Sequence, residues 1–284
     1  MKSLKESRAL SFVALALIYA AATVAGVTVY RAAELDFWLS LLIADAVATV
    51  VIFIFSLIFE NASVYDPYWS VQPPGILIAF AVGRGLNLFG ALLITVVSFW
   101  AARLTANWAY TFHGLNHQDW RYTMLNEKTG AFYPVINFVG IHMVPTLVVY
   151  GCILPAVYAI REGLSANLFS IAFLCLSLGG AIMQGVADIE MHSYRKNRES
   201  AFIRRGLWKY SRHPNYLGEI LMWWGVGLSV VSADPSRWWL LAGAVANTLL
   251  FLTVSIPMAD RRQAGKAGFD EYKQQTRMLL PIRR

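Results

Sequence analysis

Seven apolar runs, at about 11–30, 37–59, 88–110, 133–160, 168–187, 217–232 and 238–256, alternate with short polar segments along the 284 residues. A helix needs roughly 20 apolar residues to cross a hydrocarbon core. No water is available there to satisfy backbone N–H and C=O groups, so each run has to close its hydrogen bonds within itself. The pattern specifies an all-α polytopic membrane protein with seven transmembrane helices. A shorter apolar piece, Ile76–Val82, sits between Pro73-Pro74-Gly75 and Gly83-Arg84-Gly85. It is too brief to cross and is expected to be re-entrant or interfacial.

Composition narrows the function. At 57% hydrophobic and 14% charged residues, the chain is too apolar for an ordinary soluble domain. The net charge of +7 lies between apolar spans rather than on one water-soluble face, which excludes a nucleic-acid partner. Cys152 and Cys175 both fall in apolar runs, so neither a disulfide framework nor a cysteine-based zinc site is expected. Lys2, Lys5 and Arg8 precede the first run in the manner of a signal peptide. That run continues to Tyr30 without a clear cleavage pattern and reads as the first span.

Cationic residues retained in cytoplasmic loops set orientation. Arg195, Lys196, Arg198, Arg204, Arg205, Lys209 and Arg212 cluster between Asp188 and Tyr216, and seven more Lys and Arg follow Pro257. With seven spans both groups share one face, expected to be cytoplasmic, with the N-terminus outside; Lys2, Lys5 and Arg8 argue the other way. No repeat or linker divides the chain. It reads as one membrane domain over 1–284, its N-terminal half on the substrate and catalytic side and about 188–284 forming a cytoplasmic nucleotide-binding cap.

The densest pattern is Gly206-Leu-Trp-Lys-Tyr-Ser-Arg-His-Pro-Asn-Tyr-Leu-Gly-Glu219, which enters the sixth span. Pro214 suits a first helical turn. Amides left unpaired at that helix start, beside Arg212 and His213, make a site for a negatively charged group such as phosphate. Asn215 and Glu219 share a helical face, with Tyr216 next to it, and offer amide, carboxylate and phenol to ribose hydroxyls and a base. The plainer alternative is that Arg212 and His213 only mark the membrane boundary and that Glu219 pairs with one of them. Upstream, Asp188 to Arg198 brings together His192, Arg195, Lys196, Asn197 and Arg198. With Arg204-Arg205 and Arg261-Arg262 this cation density favours a phosphorylated cofactor.

Asn61 to Ser70 (NASVYDPYWS), Arg103 to Asn107 (RLTAN), His117 to Arg121 (HQDWR), Met191-His-Ser193 and Gly206 to Glu219 together resemble the steroid 5α-reductase-like membrane proteins, which include an uncharacterised bacterial branch. The resemblance implies a seven-span reductase of a bacterial inner membrane, binding NADPH on the cytoplasmic side. Its substrate would be a lipophilic, steroid-like enone met within membrane lipid. The Arg-His-Pro-x-Tyr core also resembles isoprenylcysteine and phospholipid methyltransferases, which use S-adenosylmethionine, so that reading is the alternative. A non-catalytic lipid-binding protein is the second.

Reducing an enone requires hydride at the β-carbon and a proton donor at the carbonyl oxygen. The family uses a carboxylic acid and a tyrosine. The spacing of Asp66 to Arg103 resembles that of the family's glutamate, so the resemblance implies Asp66 as the acid, an aspartate where the family has glutamate, with Glu60 in reserve. The tyrosine position falls near Trp100, which has no phenol, so Tyr68, or else Tyr65, is expected to stand in. Asp66 should carry a raised pKa in apolar surroundings; alternatively Asp66-Pro67 merely starts a turn. Arg103 and Asn107, four apart, are expected to reach the cofactor's pyrophosphate or amide, or else to join helices. Arg261 and Tyr272 fall where the family clamps the nucleotide. His113 and His117 with Asp119 have helical metal spacing, yet no metal is expected from two histidines in a loop. Asp45, inside the second span, either lines a substrate or proton path or pairs with Arg84 or Arg103.

Overall fold

The computed structural model describes residues 2–83, 85–197 and 200–281. Arg84 and Arg198, named above, lie outside the described residues. Among these residues the regular structure is helical, with one isolated parallel bridge between Ser211 and Arg277. Seven helices are long and apolar enough to cross a membrane: α1 (Arg8–Ala32), α2 (Phe37–Ile58), α4 (Leu88–Thr111), α5 (Trp120–Glu162), α6 (Leu168–Asn197), α7 (Pro214–Ala233) and α8 (Pro235–Gln263). Between α2 and α4 lies α3 (Tyr68–Ala81), and α9 (Phe269–Gln275) follows α8.

Two local features differ from the sequence pattern. Helix α3 starts at Tyr68, so Pro73, Pro74 and Gly75 lie within it instead of bounding it. Each proline lacks the N–H that would have met the carbonyl four residues back, Trp69 or Ser70, and the helix continues past both. At 14 residues α3 reaches about 21 Å, short of a hydrocarbon core of about 30 Å. Helix α5 begins well before residue 133 and passes through a π-helical stretch at Asn137–Met143, just ahead of Pro145. A wider turn there absorbs the helix's loss of register.

The chain divides into two compact units, one of Met1–Pro73 and Leu104–Tyr150, the other of Pro74–Arg103 and Gly151–Arg284. In the first, α1 buries Leu15, Ile18, Ala22 and Gly26 along one stripe and exposes Leu17 and Val24. Gly26 lets α1 approach α2 so closely that an added Cβ would sit 3.1 Å from the Ala44 carbonyl oxygen. Small residues permit this intimacy where no hydrophobic effect drives helices together.

The second unit uses the same device more severely. A Cβ on Gly218 of α7 would lie 2.5 Å from the Gly180 carbonyl oxygen and 2.6 Å from Gln184 Cγ of α6. Gly225 meets Phe173 and Ser177 in the same way about two turns on. Gly179, beside Gly180 in sequence, faces open space. Gly218→Leu should therefore destabilise the detergent-purified protein by about 3 kcal/mol or more through overpacking, whereas Gly179→Leu should leave its thermal unfolding near that of the wild type.

Candidate functional site

In the first unit, two of the segments singled out in sequence fold into one site. Asn61 Nδ2 donates to the carbonyls of Leu115 (2.7 Å) and His117 (3.0 Å), and its Oδ1 accepts from the Ser63 amide at 2.8 Å. Gln118 Oε1 accepts from the Ala62 amide, and Ser63 Oγ from the Asp119 amide. This lacing holds the loop after α2 against the start of α5. The Tyr122 hydroxyl then donates to Asp66 Oδ1 at 2.6 Å.

Asp66 is half-buried. Burial pushes its carboxyl up to about 6, although Arg121 and the Tyr122 hydrogen bond pull the other way. Glu60 is exposed and sits in a left-handed conformation at φ 48°, which leaves Asp66 as the acid of this loop. Tyr65 and Tyr68 are buried beside it, their rings 5.8 Å apart, and burial raises both phenols. Tyr65 bonds Thr146 Oγ1 at 2.8 Å. Tyr122, one residue past the HQDWR motif, was not singled out in sequence, where Tyr68 or Tyr65 was expected beside the acid; it is the phenol hydrogen-bonded to Asp66. Asn107 also falls in this unit. His117 Nδ1 lies 2.8 Å from Asn116 Oδ1, and among the described residues no group of three potential metal ligands gathers.

In the second unit, Trp100 carries a different role from a phenol. Its indole Nε1 donates to Glu219 Oε2 at 2.8 Å, and Trp223 Nε1 donates to Oε1 at 2.7 Å. Gln184 Nε2 completes the set on Oε2. Gln184 Oε1 in turn accepts from Arg103 Nη2 at 2.9 Å, and Arg103 Nη1 pairs with Asp188 at 2.7 Å. Glu219 and Arg103 thus belong to one buried chain of side chains joining α4, α6 and α7.

Arg212 and His213 meet a carboxylate, but it is Asp260 and not Glu219. Asp260 accepts from Arg212 Nη2 at 3.1 Å and lies 3.0 Å from His213 Nε2. Arg212 Nη1 also donates to the carbonyls of Thr276 (2.7 Å) and Lys273 (3.3 Å), and the Arg212 amide to that of Arg277. The buried Tyr272 hydroxyl donates to the Trp208 carbonyl at 2.5 Å. These bonds tie the segment after α9 to the start of α7. His213 stacks on Tyr216, the rings 5.3 Å apart and 4° from parallel. No side chain caps the first turn of α7, and the buried Oδ1 of Asn215 has no hydrogen-bond partner among the described residues. Arg195, Lys196, Asn197, Arg205 and Arg261 are exposed, and His192 is half-buried. Gly206, at φ 58°, lies against Glu190, which accepts from the Leu207 amide at 2.9 Å; no side chain fits at that position.

The profile of a family described as proteins of unknown function, DUF1295, matches residues 52–276. The chain belongs to the DUF1295 family. The matched DUF1295 region contains both sites, from Asn61 to Tyr122 and from Arg103 to Thr276. An uncharacterised protein of the fission yeast Schizosaccharomyces pombe is 24% identical over 214 residues, covering 64% of this chain and 62% of the yeast protein. No solved structure matches the chain.

The Asp66 environment has a consequence for stability. Its folded pKa of about 6 exceeds the ordinary 3.8, so between these values the folded state keeps a proton that the unfolded chain has lost. Stability from this group is therefore present at low pH and is lost as pH rises toward 6. Asp66→Asn should raise the thermal midpoint relative to wild type more at about pH 7.5 than at about pH 4.5, as measured by unfolding in detergent at both.

Proposed function

We propose that this protein is an NADPH-dependent reductase that adds hydride to the C=C bond of a lipophilic, steroid-like enone. It works in a bacterial inner membrane with its basic segments in the cytoplasm and its N-terminus outside. The observation that carries this reading is the hydrogen-bonded Asp66–Tyr122 pair, a carboxyl poised near neutrality and joined to a phenol. Such a pair suits an enone: negative charge grows on the carbonyl oxygen, and a preorganised donor facing it lowers the barrier. An acid near pH 6 is also close to the working pH, where general acid catalysis is most efficient.

The residues of the second unit fit a dinucleotide. Exposed Arg195, Lys196 and Arg261 are available to phosphates, and the uncapped start of α7 favours an anion. The unpartnered Asn215 Oδ1 wants a donor, such as a ribose hydroxyl or a carboxamide N–H. His213 and Tyr216 present stacked rings. Arg212, Glu219 and Arg103 support these groups from behind, since their own bonds are made within the protein. Bound NADPH would supply hydride to the β-carbon. The chain's part is to orient the ketone, give a proton from the Asp66–Tyr122 pair and regain it from water.

Thermal shifts of the purified protein test the cofactor. NADPH should raise the midpoint, by about 2.7 kcal/mol of added stability at a hundred times its dissociation constant, and a shift with S-adenosylmethionine alone would overturn the reading. With a 3-oxo-4-ene steroid as probe, turnover should fall as pH rises past about 6. Asp66→Asn and Tyr122→Phe should each cut kcat roughly a hundredfold or more and keep the NADPH shift; a fully active Asp66→Asn protein would sink the assignment.

A further inference from the structure

Two groups of charged side chains lie outside the sites described above. Asp45, 3% exposed in α2, does not make the pairing with Arg103 expected as one possibility, because Arg103 is bound to Asp188 and Gln184. The other group is open to the surroundings. It lies in the second unit where α5 and α7 end and α8 begins, at the far end of α7 from Arg212 and His213.

Tyr158 organises this end. Its hydroxyl donates to Asp234 Oδ2 at 2.7 Å and accepts from Arg237 Nε at 3.1 Å, and the Arg237 guanidinium sits 5.3 Å from the centroid of the Tyr158 ring. Asp234 follows the last residue of α7, and its Oδ1 accepts from the amide and the hydroxyl of Ser236 at 3.2 and 2.6 Å. The Ser236 and Tyr158 bonds hold its carboxyl below the usual aspartate range, so it stays an anion. Arg237 is fixed through Nε. Its two terminal nitrogens make no hydrogen bond to any described residue, and its side chain is 45% exposed. A planar fork of N–H groups is therefore presented outward from a held stem.

The neighbours are those of a membrane boundary. Trp238 is 68% exposed, and indoles collect at the level of lipid headgroups because the ring is apolar and its N–H is not. Exposed Leu168 and Phe169 begin α6 at the same end, where Asn167 Nδ2 donates to the Ser232 carbonyl of α7 at 2.6 Å. Lys and Arg are concentrated elsewhere, before α7 and after Pro257. The charges here cancel in pairs, Arg237 with Asp234 and Arg161 with Glu162, so among the described residues no net charge draws an anion by field alone. Asp234 has three of its roughly four acceptor positions filled and its side chain is 23% exposed, which leaves room for one further N–H. A fork that suits phosphate beside a carboxylate that lacks one donor matches a zwitterion carrying a phosphate and a primary amine.

We propose that Arg237, Asp234 and Trp238 hold the headgroup of an amine-bearing zwitterionic phospholipid at the membrane face opposite the basic segments. The Arg237 fork takes the phosphate through parallel N–H···O bonds, the Asp234 carboxylate takes the ammonium, and the Trp238 ring lies along the glycerol and upper acyl carbons. Tyr158 touches no lipid and acts as the positioning residue for both charges. The site is independent of the reductase reading, since it uses none of the residues assigned to hydride or proton delivery.

Native mass spectrometry of the detergent-purified full chain tests the site, with dioleoyl phosphatidylethanolamine, dioleoyl phosphatidylcholine, dioleoyl phosphatidylglycerol or inorganic phosphate added in turn. Wild type should retain phosphatidylethanolamine in preference to the choline lipid, which has no N–H for Asp234, and to the anionic glycerol lipid. Arg237→Gln should weaken that retention about tenfold, the loss of one charge-assisted pair, and Arg237→Lys should recover only part of it because an ammonium has no fork. Trp238→Ala, at an exposed position, should also weaken retention and decides the matter if Arg237→Gln does not fold. Lys128→Gln, which removes an exposed cation at the other end of α5, should bind as wild type does. Equal retention of all three lipids by wild type overturns the proposal, as does undiminished retention in folded Arg237→Gln or in Trp238→Ala. A loss of the same size in Lys128→Gln, or displacement of the lipid by an equal concentration of inorganic phosphate, overturns it too.

Discussion

A carboxylate withdrawn from water has to be solvated by the protein, and each unit of this chain is organised around one. In the second unit Glu219 receives three N–H donors, from Trp100, Trp223 and Gln184, and so fixes α4, α6 and α7 to one another. In the first, Asp66 takes the Tyr122 hydroxyl and ties the loop after α2 to the start of α5. Removing the partners of a buried charge costs more than the pair contributes, so the surrounding residues are held to narrow positions.

Packing makes that solvation possible. The Gln184 amide of α6 reaches Glu219 of α7 where Gly180 and Gly218 bring the two backbones almost into contact. In lipid such closeness comes from small residues and dispersion, not from expelling water. The glycines and the buried carboxylate are thus one design: the first set the separation, the second requires it.

The apolar runs specified the seven helices almost completely, because length and hydropathy are local properties. Asp66 was singled out through the family resemblance, by a spacing to Arg103 similar to that of the family's glutamate. Tyr122 was invisible because its pairing with Asp66 spans 56 residues and depends on Asn61 and Ser63 folding the loop. Glu219 was expected to face a cofactor or to pair with Arg212 or His213, yet its partners are two indoles and an amide, which a sequence offers no reason to prefer over Arg212. Asp260 directly precedes Arg261-Arg262, the pair that was read as cofactor-binding, and was not singled out. The single acid there is what both Arg212 and His213 need. Helix α3 runs through Pro73 and Pro74, although each removes one hydrogen bond from its interior, so a Pro-Pro-Gly boundary read from sequence was placed too late.

The ties between Arg212 and residues 260–277 also carry a history. The segment from Gly206 to Glu219 is the most recognisable in the sequence, but its partners are made about 50 to 65 residues later, after α8 has been threaded into the bilayer. During synthesis the ribosome delivers Arg212 and His213 long before their partners. A nascent chain halted short of Asp260 would hold Glu219 through Trp100 and Gln184 but leave the Arg212–His213 end of the motif unshaped, which makes this face of the protein the last to be born.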